Sequence, residues 1–333
     1  MRRRSNTIVR TSTILAGAAL LLAPVFMSGQ APKPPQPPAK TDAPDSGDVT
    51  FNAETRLVPL NVTVTDKGGH LVPGLPRTAF QVYENNVLQQ IKDFKGEDVP
   101  VSLGLIIDNS GSMREKRQSV ESAALALVRD SNKQDEAFVV NFNDEAYLDA
   151  DFTSDIKIME QGLTKIDSRG GTAMRDAIRM SIDHLQEKAK RDKKVILVIT
   201  DGNDNASVVT LQALVRQAQQ DDVLIYAIGL LSEEEKKEAN AAKRALNLLT
   251  ESTGGLVFYP KDVSEVEKIA HEVAHDIRNQ YTITYSPSNQ TLDGSFRQIK
   301  VAVKATGNAT ARTRLGYYAT KDNKVAGASK GLF

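Results

Sequence analysis

The chain lacks cysteine, and it lacks an excess of charge of either sign: 42 Lys and Arg residues balance 42 Asp and Glu residues. Without cysteine, a disulfide framework, a lipoprotein anchor, a thiolate zinc site and a thiol nucleophile are all excluded. Residues 1–30 contain four arginines and no acidic residue, so their removal would leave 38 basic against 42 acidic residues, a net charge of −4. The protein without residues 1–30 would have a mildly acidic surface. Such a surface does not favour the binding of polyanions, so we expect no nucleic-acid partner.

The N-terminal apolar run, residues 14–26, is too short for a comfortable membrane span and contains Pro24. Four arginines lie in the ten residues at the start of the chain, which is typical of an export signal. Residues 1–30 are predicted to be a signal peptide or, if uncleaved, a signal anchor that tethers the protein to a membrane. The expected location is therefore the periplasm, the cell surface or the medium.

Composition divides the remaining chain into a linker, two flanks, a central region and a tail. Residues 31–49 are rich in proline and predict an extended linker. Residues 50–98 and 281–319 alternate apolar and polar residues between turns, which indicates β-strands. Each flank has too few strands to bury its own core, so we expect the two to pair into one small β-sandwich. Residues 320–333 form the tail.

Between the flanks, residues 99–280 alternate apolar strands with amphipathic helices, as a parallel sheet with right-handed crossovers requires. Predicted strands include residues 101–107 and 195–200, and a helix is predicted over 115–129. The expected fold is α/β, with a Rossmann-like, doubly wound and mostly parallel sheet. Such sheets bind ligands at the carboxyl edge of their strands.

Five side chains with oxygen donors lie in three loops that follow elements of this sheet: Asp108, Ser110, Ser112, Thr172 and Asp201. If strands 101–107 and 195–200 are neighbours, all five side chains meet at one edge. Hard oxygen donors suit a hard divalent cation such as Mg²⁺. The alternative is that these residues only cap helices and turns. Capping would not explain why three separate loops all carry the donors that one metal site needs.

The five residues resemble the metal ion-dependent adhesion site of von Willebrand factor type A domains, whose pattern is Asp-x-Ser-x-Ser, then Thr, then Asp. The resemblance extends over residues 101–280, and the β flanks are similar to those of exported bacterial members. It implies that Asp108 anchors the cluster and that Ser110 and Ser112 bind the metal through their hydroxyls. It also implies that Thr172 adds a hydroxyl, directly or through water, and that Asp201 binds metal-bound water. The implied ion is Mg²⁺, with Mn²⁺ or Ca²⁺ as alternatives.

The predicted site suits an incoming carboxylate. Two aspartates offset the 2+ charge, and the weakly donating hydroxyls leave the ion Lewis-acidic toward a carboxylate. Mg²⁺ usually keeps several waters, so at least one ligand position stays exchangeable. The helix predicted after Ser112 directs its positive N-terminal end toward the metal site, which favours an anion beside the cation. We therefore expect a binding or adhesion protein whose metal captures a Glu or Asp of a protein partner.

Residues 271–275 read His-Glu-Val-Ala-His, the string of zinc peptidases. A catalytic zinc site also needs a third protein ligand, and no Glu follows position 272. The core stripe of the predicted helix over residues 263–280 leaves His271 and His275 on its polar side. We expect a solvated helix face there, and we also expect His70 and His184 at the surface.

Two other functions stay open. A metal-dependent hydrolase is disfavoured, because no histidine lies in the metal loops and Asp204 is the sole nearby candidate base. Asn203, Asp204 and Asn205 are interpreted instead as turn residues. The chain is thus predicted not to be an enzyme. The other alternative is a structural or assembly module of an envelope complex, in which the metal stabilises the fold.

Overall fold

The computed structural model describes residues 56–321, except residues 97, 166–167, 203, 232–235 and 306. The predicted signal segment, the linker and residues 322–333 of the tail lie outside this range and stay predictions. Across the described part of the chain, no helix combines the length and apolar character that crossing a bilayer requires.

Within the described residues the chain forms thirteen strands and six α-helices. In chain order they are β1 (Val58–Thr65), β2 (Phe80–Glu84), β3 (Val87–Lys95), β4 (Val101–Asp108), α1 (Arg117–Arg129), β5 (Glu136–Phe142), β6 (Ala146–Thr153), α2 (Ile156–Leu163), α3 (Met174–Lys188), β7 (Lys193–Thr200), α4 (Leu211–Gln220), β8 (Val223–Gly229), α5 (Lys236–Thr253), β9 (Val257–Phe258), α6 (Val266–Arg278), β10 (Tyr281–Ser286), β11 (Phe296–Val303), β12 (Thr310–Arg312) and β13 (Gly316–Tyr318).

The central sheet has the strand order β6-β5-β4-β7-β8-β9. Its strands are parallel except β6, which lies antiparallel at one edge. Helices α1, α2 and α6 contribute to the core on one face, and α3, α4 and α5 contribute to the core on the other. Strands β4, β5, β7 and β8 are nearly continuous apolar runs because both of their faces are buried. The doubly wound, mostly parallel sheet expected from the sequence is confirmed.

The two flanks together form a seven-stranded antiparallel sheet, in the order β12-β1-β10-β3-β2-β11-β13. Strand β1 of the N-terminal flank lies between β10 and β12 of the C-terminal flank, and β2 pairs with β11. Alternate residues of β1, β2 and β10 are buried, and they share one hydrophobic core. The flanks therefore pair as expected, in a curled sheet whose inner face encloses that core.

A buried polar cluster joins the curled sheet to the α/β region. The Tyr226 hydroxyl donates to Asp276 Oδ2 over 2.5 Å, and Arg312 Nη2 donates to the same oxygen over 2.6 Å. Gln280 Nε2 reaches both the Tyr226 hydroxyl and Thr63 Oγ1 at 3.1 Å. Burial raises the pKa of Tyr226 well above its ordinary value, so this hydroxyl stays a donor. Strands β1, β8 and β12 are thereby fixed to helix α6.

Two predicted helices begin later than expected, because each is preceded by a short 3₁₀ turn. Gly111–Met113 forms such a turn before α1, which begins at Arg117 rather than at residue 115. Val263–Glu265 forms another before α6, and the Asp262 carboxylate accepts the Ser264 N–H there. In both places a 3₁₀ turn, which is more tightly wound than an α-helix, precedes the regular helix.

The prediction that His184 lies at the surface is wrong. His184 is 8% exposed, and its ring stacks on Phe152 with centroids 5.1 Å apart and planes 9° apart. Phe138 meets the same ring edge-on at 4.8 Å, and Nε2 lies 2.9 Å from Asp151 Oδ1. The helix face that carries His184 packs against the edge strand β6, which covers the imidazole.

We expect Arg312→Met to destabilise the protein, because it leaves the buried Asp276 carboxylate without its cation. A loss of about 2 kcal/mol in the free energy of unfolding is expected, measured by urea denaturation. The matched control is Lys300→Met, which removes a positive charge from an exposed position of β11. Equal losses in the two variants would contradict the role assigned to the cluster.

Candidate metal centre

Asp108 is the last residue of β4, and its carboxylate is held from two directions. The Ser110 N–H donates to Oδ1 over 2.8 Å, and Thr200 Oγ1 donates to Oδ2 over 2.6 Å. Thr200 ends the neighbouring strand β7, whose parallel register pairs Ile107 with Ile199. The two strand ends therefore place Asp108 beside the loop that begins at Asp201.

The Asp108 carboxylate is 1% exposed, and burial raises its pKa to about 6. Hydrogen bonds from Thr200 and Ser110 lower the pKa, and the negative charge of Asp201 raises it. Loss of solvation outweighs the hydrogen bonds, so the ionised carboxylate is unfavourable where it lies. A cation at this position would relieve that cost.

Ser110, Ser112 and Asp201 complete a hydrogen-bonded set with Asp108. The hydroxyl oxygens of Ser110 and Ser112 lie 3.2 Å apart, and Ser112 Oγ donates to Asp201 Oδ1 over 2.9 Å. Ser110 is buried, whereas Ser112 is exposed. Four of the five predicted residues thus meet in one cluster that opens to solvent on the Ser112 side.

Thr172, the fifth residue, is brought to the cluster by its loop. The Gly111 N–H donates to Gly170 O over 3.3 Å, which links this loop to the serine loop. Gly170 has a φ of +74°, and a Cβ there would lie 2.0 Å from Asp144 Oδ2. A Cβ on Gly202 would lie 3.6 Å from Thr172 Oγ1, so the threonine hydroxyl faces the chain just after Asp201.

The residues that follow Asp201 hold the threonine loop in place. Asn205 Oδ1 accepts the Thr172 N–H over 2.9 Å, and the Asn205 N–H returns a bond of 3.1 Å to Thr172 O. Asp204 accepts the Arg175 N–H over 2.7 Å, pairs with the Arg175 guanidinium at 2.9 Å and accepts the Ser207 hydroxyl over 2.7 Å. Its carboxylate is therefore engaged at the start of α3. Asn203 lies outside the described residues.

Lys116 contacts the candidate site, and the sequence analysis missed it. Its Nζ lies 2.5 Å from Asp201 Oδ2 and 3.4 Å from Leu230 O. The Lys116 side chain is 30% exposed, whereas that of Asp201 is 1% exposed. The signal that could have found it is spacing: Lys116 lies four residues before Val120, on the helix face that turns toward the core.

The donor set fits a hard divalent cation. The Asp108 and Asp201 carboxylates and the Ser110 and Ser112 hydroxyls form one linked set beside the loop that carries Thr172, and the Lys116 ammonium demonstrates that a positive charge is accommodated against Asp201. Among the residues that the structure describes, no cluster of three or more His, Asp or Glu side chains is arranged to hold a metal. The candidate centre is of a different kind, since most of its donors are hydroxyls.

The histidines of the zinc-peptidase string lie elsewhere, on α6. His271 and His275 are both exposed, and His271 Nδ1 contacts the Asp130 carboxylate. This is the solvated helix face expected from the sequence.

A family model described as the von Willebrand factor type A domain matches residues 103–272. Calcium-activated chloride channel regulator 1 of the horse (Equus caballus) is 26% identical over 170 residues, which cover 48% of this chain and 17% of that protein. This chain therefore matches a small part of that relative's length. The matched residues 103–272 include all five candidate metal ligands.

Solved structures that are similar to this chain at low sequence identity include the following two. BatB from Bacteroides thetaiotaomicron is 17% identical, with 53% of this chain and 98% of that chain covered and a TM-score of 0.44. Proximal thread matrix protein 1 from the mussel byssus, described with a zinc-occupied MIDAS motif, is 18% identical, with 57% and 48% covered and a TM-score of 0.46.

We expect Asp108→Asn to stabilise the protein at pH 7.5 when a chelator is present. The pKa of Asp108 is higher in the folded protein than its ordinary 3.8, so folding stability is lost as the pH rises through about 6. The difference corresponds to roughly 3 kcal/mol, an upper bound on the gain from removing the charge. Urea unfolding at pH 4.5 and pH 7.5 measures it.

The control for this prediction is Asp93→Asn, which neutralises an exposed carboxylate on β3. The gain of the Asp108 variant should be smaller at pH 4.5, where the wild-type carboxyl is already largely protonated. A gain that is the same at both pH values would contradict the assignment.

Proposed function

The chain belongs to the family of von Willebrand factor type A domain proteins, and on that premise we propose that it is a non-enzymatic binding protein. Asp108, Ser110, Ser112, Thr172 and Asp201 hold a divalent metal at the carboxyl edge of the central sheet. The metal captures a Glu or Asp side chain of a protein partner.

The observation that carries the proposal is the linked set of oxygen donors at the strand ends. Asp108, Ser110, Ser112 and Asp201 are joined by hydrogen bonds between β4, the serine loop and the end of β7. The buried Asp108 carboxylate lacks solvation, and a metal would supply the missing positive charge. Ser112 is exposed, so a ligand from outside can reach the same place.

Each residue has a distinct part in the proposal. Asp108 anchors the cluster, and the hydroxyls of Ser110 and Ser112 donate directly to the ion. Thr172 adds a hydroxyl, directly or through water, and Asp201 holds metal-bound water. Mg²⁺, Mn²⁺ and Ca²⁺ all accept oxygen ligands of this kind, and Mg²⁺ is the ion we favour.

The proposed place of action is outside the cytoplasm, in the periplasm, on the cell surface or in the medium. The basic and apolar pattern of residues 1–30 supports export. An uncleaved signal would tether the protein, with the proline-rich residues 31–49 as a spacer between the membrane and the binding domain.

A second candidate is a structural or assembly module, in which the metal serves the fold. It is favoured by one observation: the cluster spans β4, the threonine loop and β7, so an ion would cross-link three segments. A hydrolase is disfavoured, because Arg175 and Ser207 engage the carboxylate of Asp204, the candidate base that the sequence places near the metal loops.

Metal binding is tested by titrating the protein with MgCl₂ and MnCl₂ in a calorimeter. Asp108→Ala should weaken uptake by roughly 100-fold, because it removes the central charged ligand. Asp93→Ala, which removes an exposed carboxylate from β3, should bind the metal as the wild type does. Absence of uptake by folded wild-type protein would refute the proposal.

Partner capture is tested with envelope extract, with and without EDTA. Binding predicts a protein that is retained by the wild type and by Asp93→Ala, and that is lost with EDTA or Asp108→Ala while the melting temperature changes little. A structural role predicts instead a large fall in melting temperature on chelation, with no protein retained. Metal-dependent turnover of ester or phosphodiester substrates would indicate a hydrolase.

Thr172→Ala should weaken partner binding more than metal uptake, because the other four residues form the hydrogen-bonded set without it. We expect about a tenfold loss in partner affinity with less than about a threefold loss in metal affinity. Parallel calorimetric titrations of metal and of the purified partner measure both. Equal losses would show that Thr172 serves both tasks alike.

A further inference from the structure

We propose that Lys116 competes with the divalent cation and its bound water for the Asp201 carboxylate and so lowers the metal affinity of the site. This inference rests on the proposed metal centre and concerns how tightly that centre binds its ion. The contact that supports it is the ion pair between Lys116 Nζ and Asp201 Oδ2, at 2.5 Å.

Asp201 is the point where the ammonium and the metal meet. Its side chain is 1% exposed, and Ser112 occupies its other oxygen at 2.9 Å. An ion held by Ser112, with one of its bound waters on Asp201, would lie close to the Lys116 ammonium. Two positive charges beside one buried carboxylate repel each other more strongly than they would in bulk water, because screening is weaker at a buried site.

The balance of charge also supports competition. The cluster contains two carboxylates, those of Asp108 and Asp201, and among the residues that the structure describes a cationic side chain pairs only with Asp201. A divalent ion neutralises both carboxylates without help from Lys116. With the lysine in place, the site already contains one positive charge, that of the ammonium, before the divalent ion enters.

The lysine has room to give way. Its side chain is 30% exposed, and a second acceptor, Leu230 O, lies 3.4 Å from Nζ. It directly precedes helix α1 as the N-cap residue, and its backbone is fixed there by bonds from the Lys116 N–H to Met113 O and from the Val120 N–H to Lys116 O. Displacement therefore moves a side chain and leaves the serine loop as it is.

The alternative is that Lys116 positions Asp201 for the metal. The two roles predict opposite results when the charge is removed. A positioning residue loses affinity on substitution, whereas a competitor gains it. Neutral variants therefore distinguish the roles by the sign of the change.

The test titrates wild type, Lys116→Met, Lys116→Gln and Lys116→Arg with MgCl₂ and MnCl₂ in a calorimeter. Lys116→Met should bind the metal about tenfold more tightly, which corresponds to about 1.4 kcal/mol. Lys116→Arg keeps the charge and should bind as the wild type does. Lys133→Met, which removes an exposed lysine from the turn after α1, should also be unchanged.

Thermal unfolding supplies a second readout. The ion pair stabilises the protein in chelator, so Lys116→Met should melt at a lower temperature than the wild type there. Saturating MgCl₂ should then raise the melting temperature of Lys116→Met by more than it raises that of the wild type. Lys116→Gln, which keeps a polar side chain, should behave as Lys116→Met does.

The outcomes separate this inference from the proposed function. Metal uptake by the wild type with unchanged or weaker uptake by both neutral variants overturns the competition and leaves the metal centre intact. Absence of uptake by the wild type and by every variant overturns both. Tighter uptake by both neutral variants, with unchanged uptake by Lys116→Arg and Lys133→Met, supports the competition.

Discussion

The parallel register between β4 and β7 is the constraint on which the rest of the site depends. It pairs Ile107 with Ile199, so both strands reach the same edge of the sheet at Asp108 and Thr200. Packing of helices on both faces fixes the register, because each strand is buried throughout. The hydrogen bond from Thr200 to Asp108 and the position of Asp201 follow from that register. A core that serves stability thus also sets the geometry of the polar edge.

The same constraint explains how much could be predicted from the sequence. Buried parallel strands are continuous apolar runs, and the polar residues that end them mark the functional edge, so Asp108 and Asp201 were visible in the sequence. The role of Lys116 could not be predicted, because its contact with Asp201 depends on the conformation of a flexible side chain just before α1. His184 was misplaced for a similar reason: its burial comes from Phe152 on β6, a strand distant in sequence. Local pattern identifies elements and their ends, whereas contacts between elements need the fold.

The buried carboxylates of Asp276 and Asp108 differ in how their negative charge is compensated. At the junction with the curled sheet, Asp276 is paired with Arg312 and bonded to Tyr226, so its charge is compensated within the protein. At the sheet edge, Asp108 has hydrogen bonds but no cationic side chain beside it among the described residues, and burial raises its pKa to about 6. The first arrangement stabilises the fold. The second is costly for the fold and is what a site prepared for an external cation would be expected to have.

The pairing of β1 has a consequence for how the chain folds. Its two ladder partners are β10 and β12, which follow more than 200 residues later in the sequence. A chain that emerges N terminus first, from a ribosome or a secretion pore, therefore releases β1 long before its neighbours exist. The α/β region, whose parallel ladders lie within residues 101–258, can assemble in the meantime. Closing the curled sheet is then the late and slow step, as contacts of long sequence separation are in general.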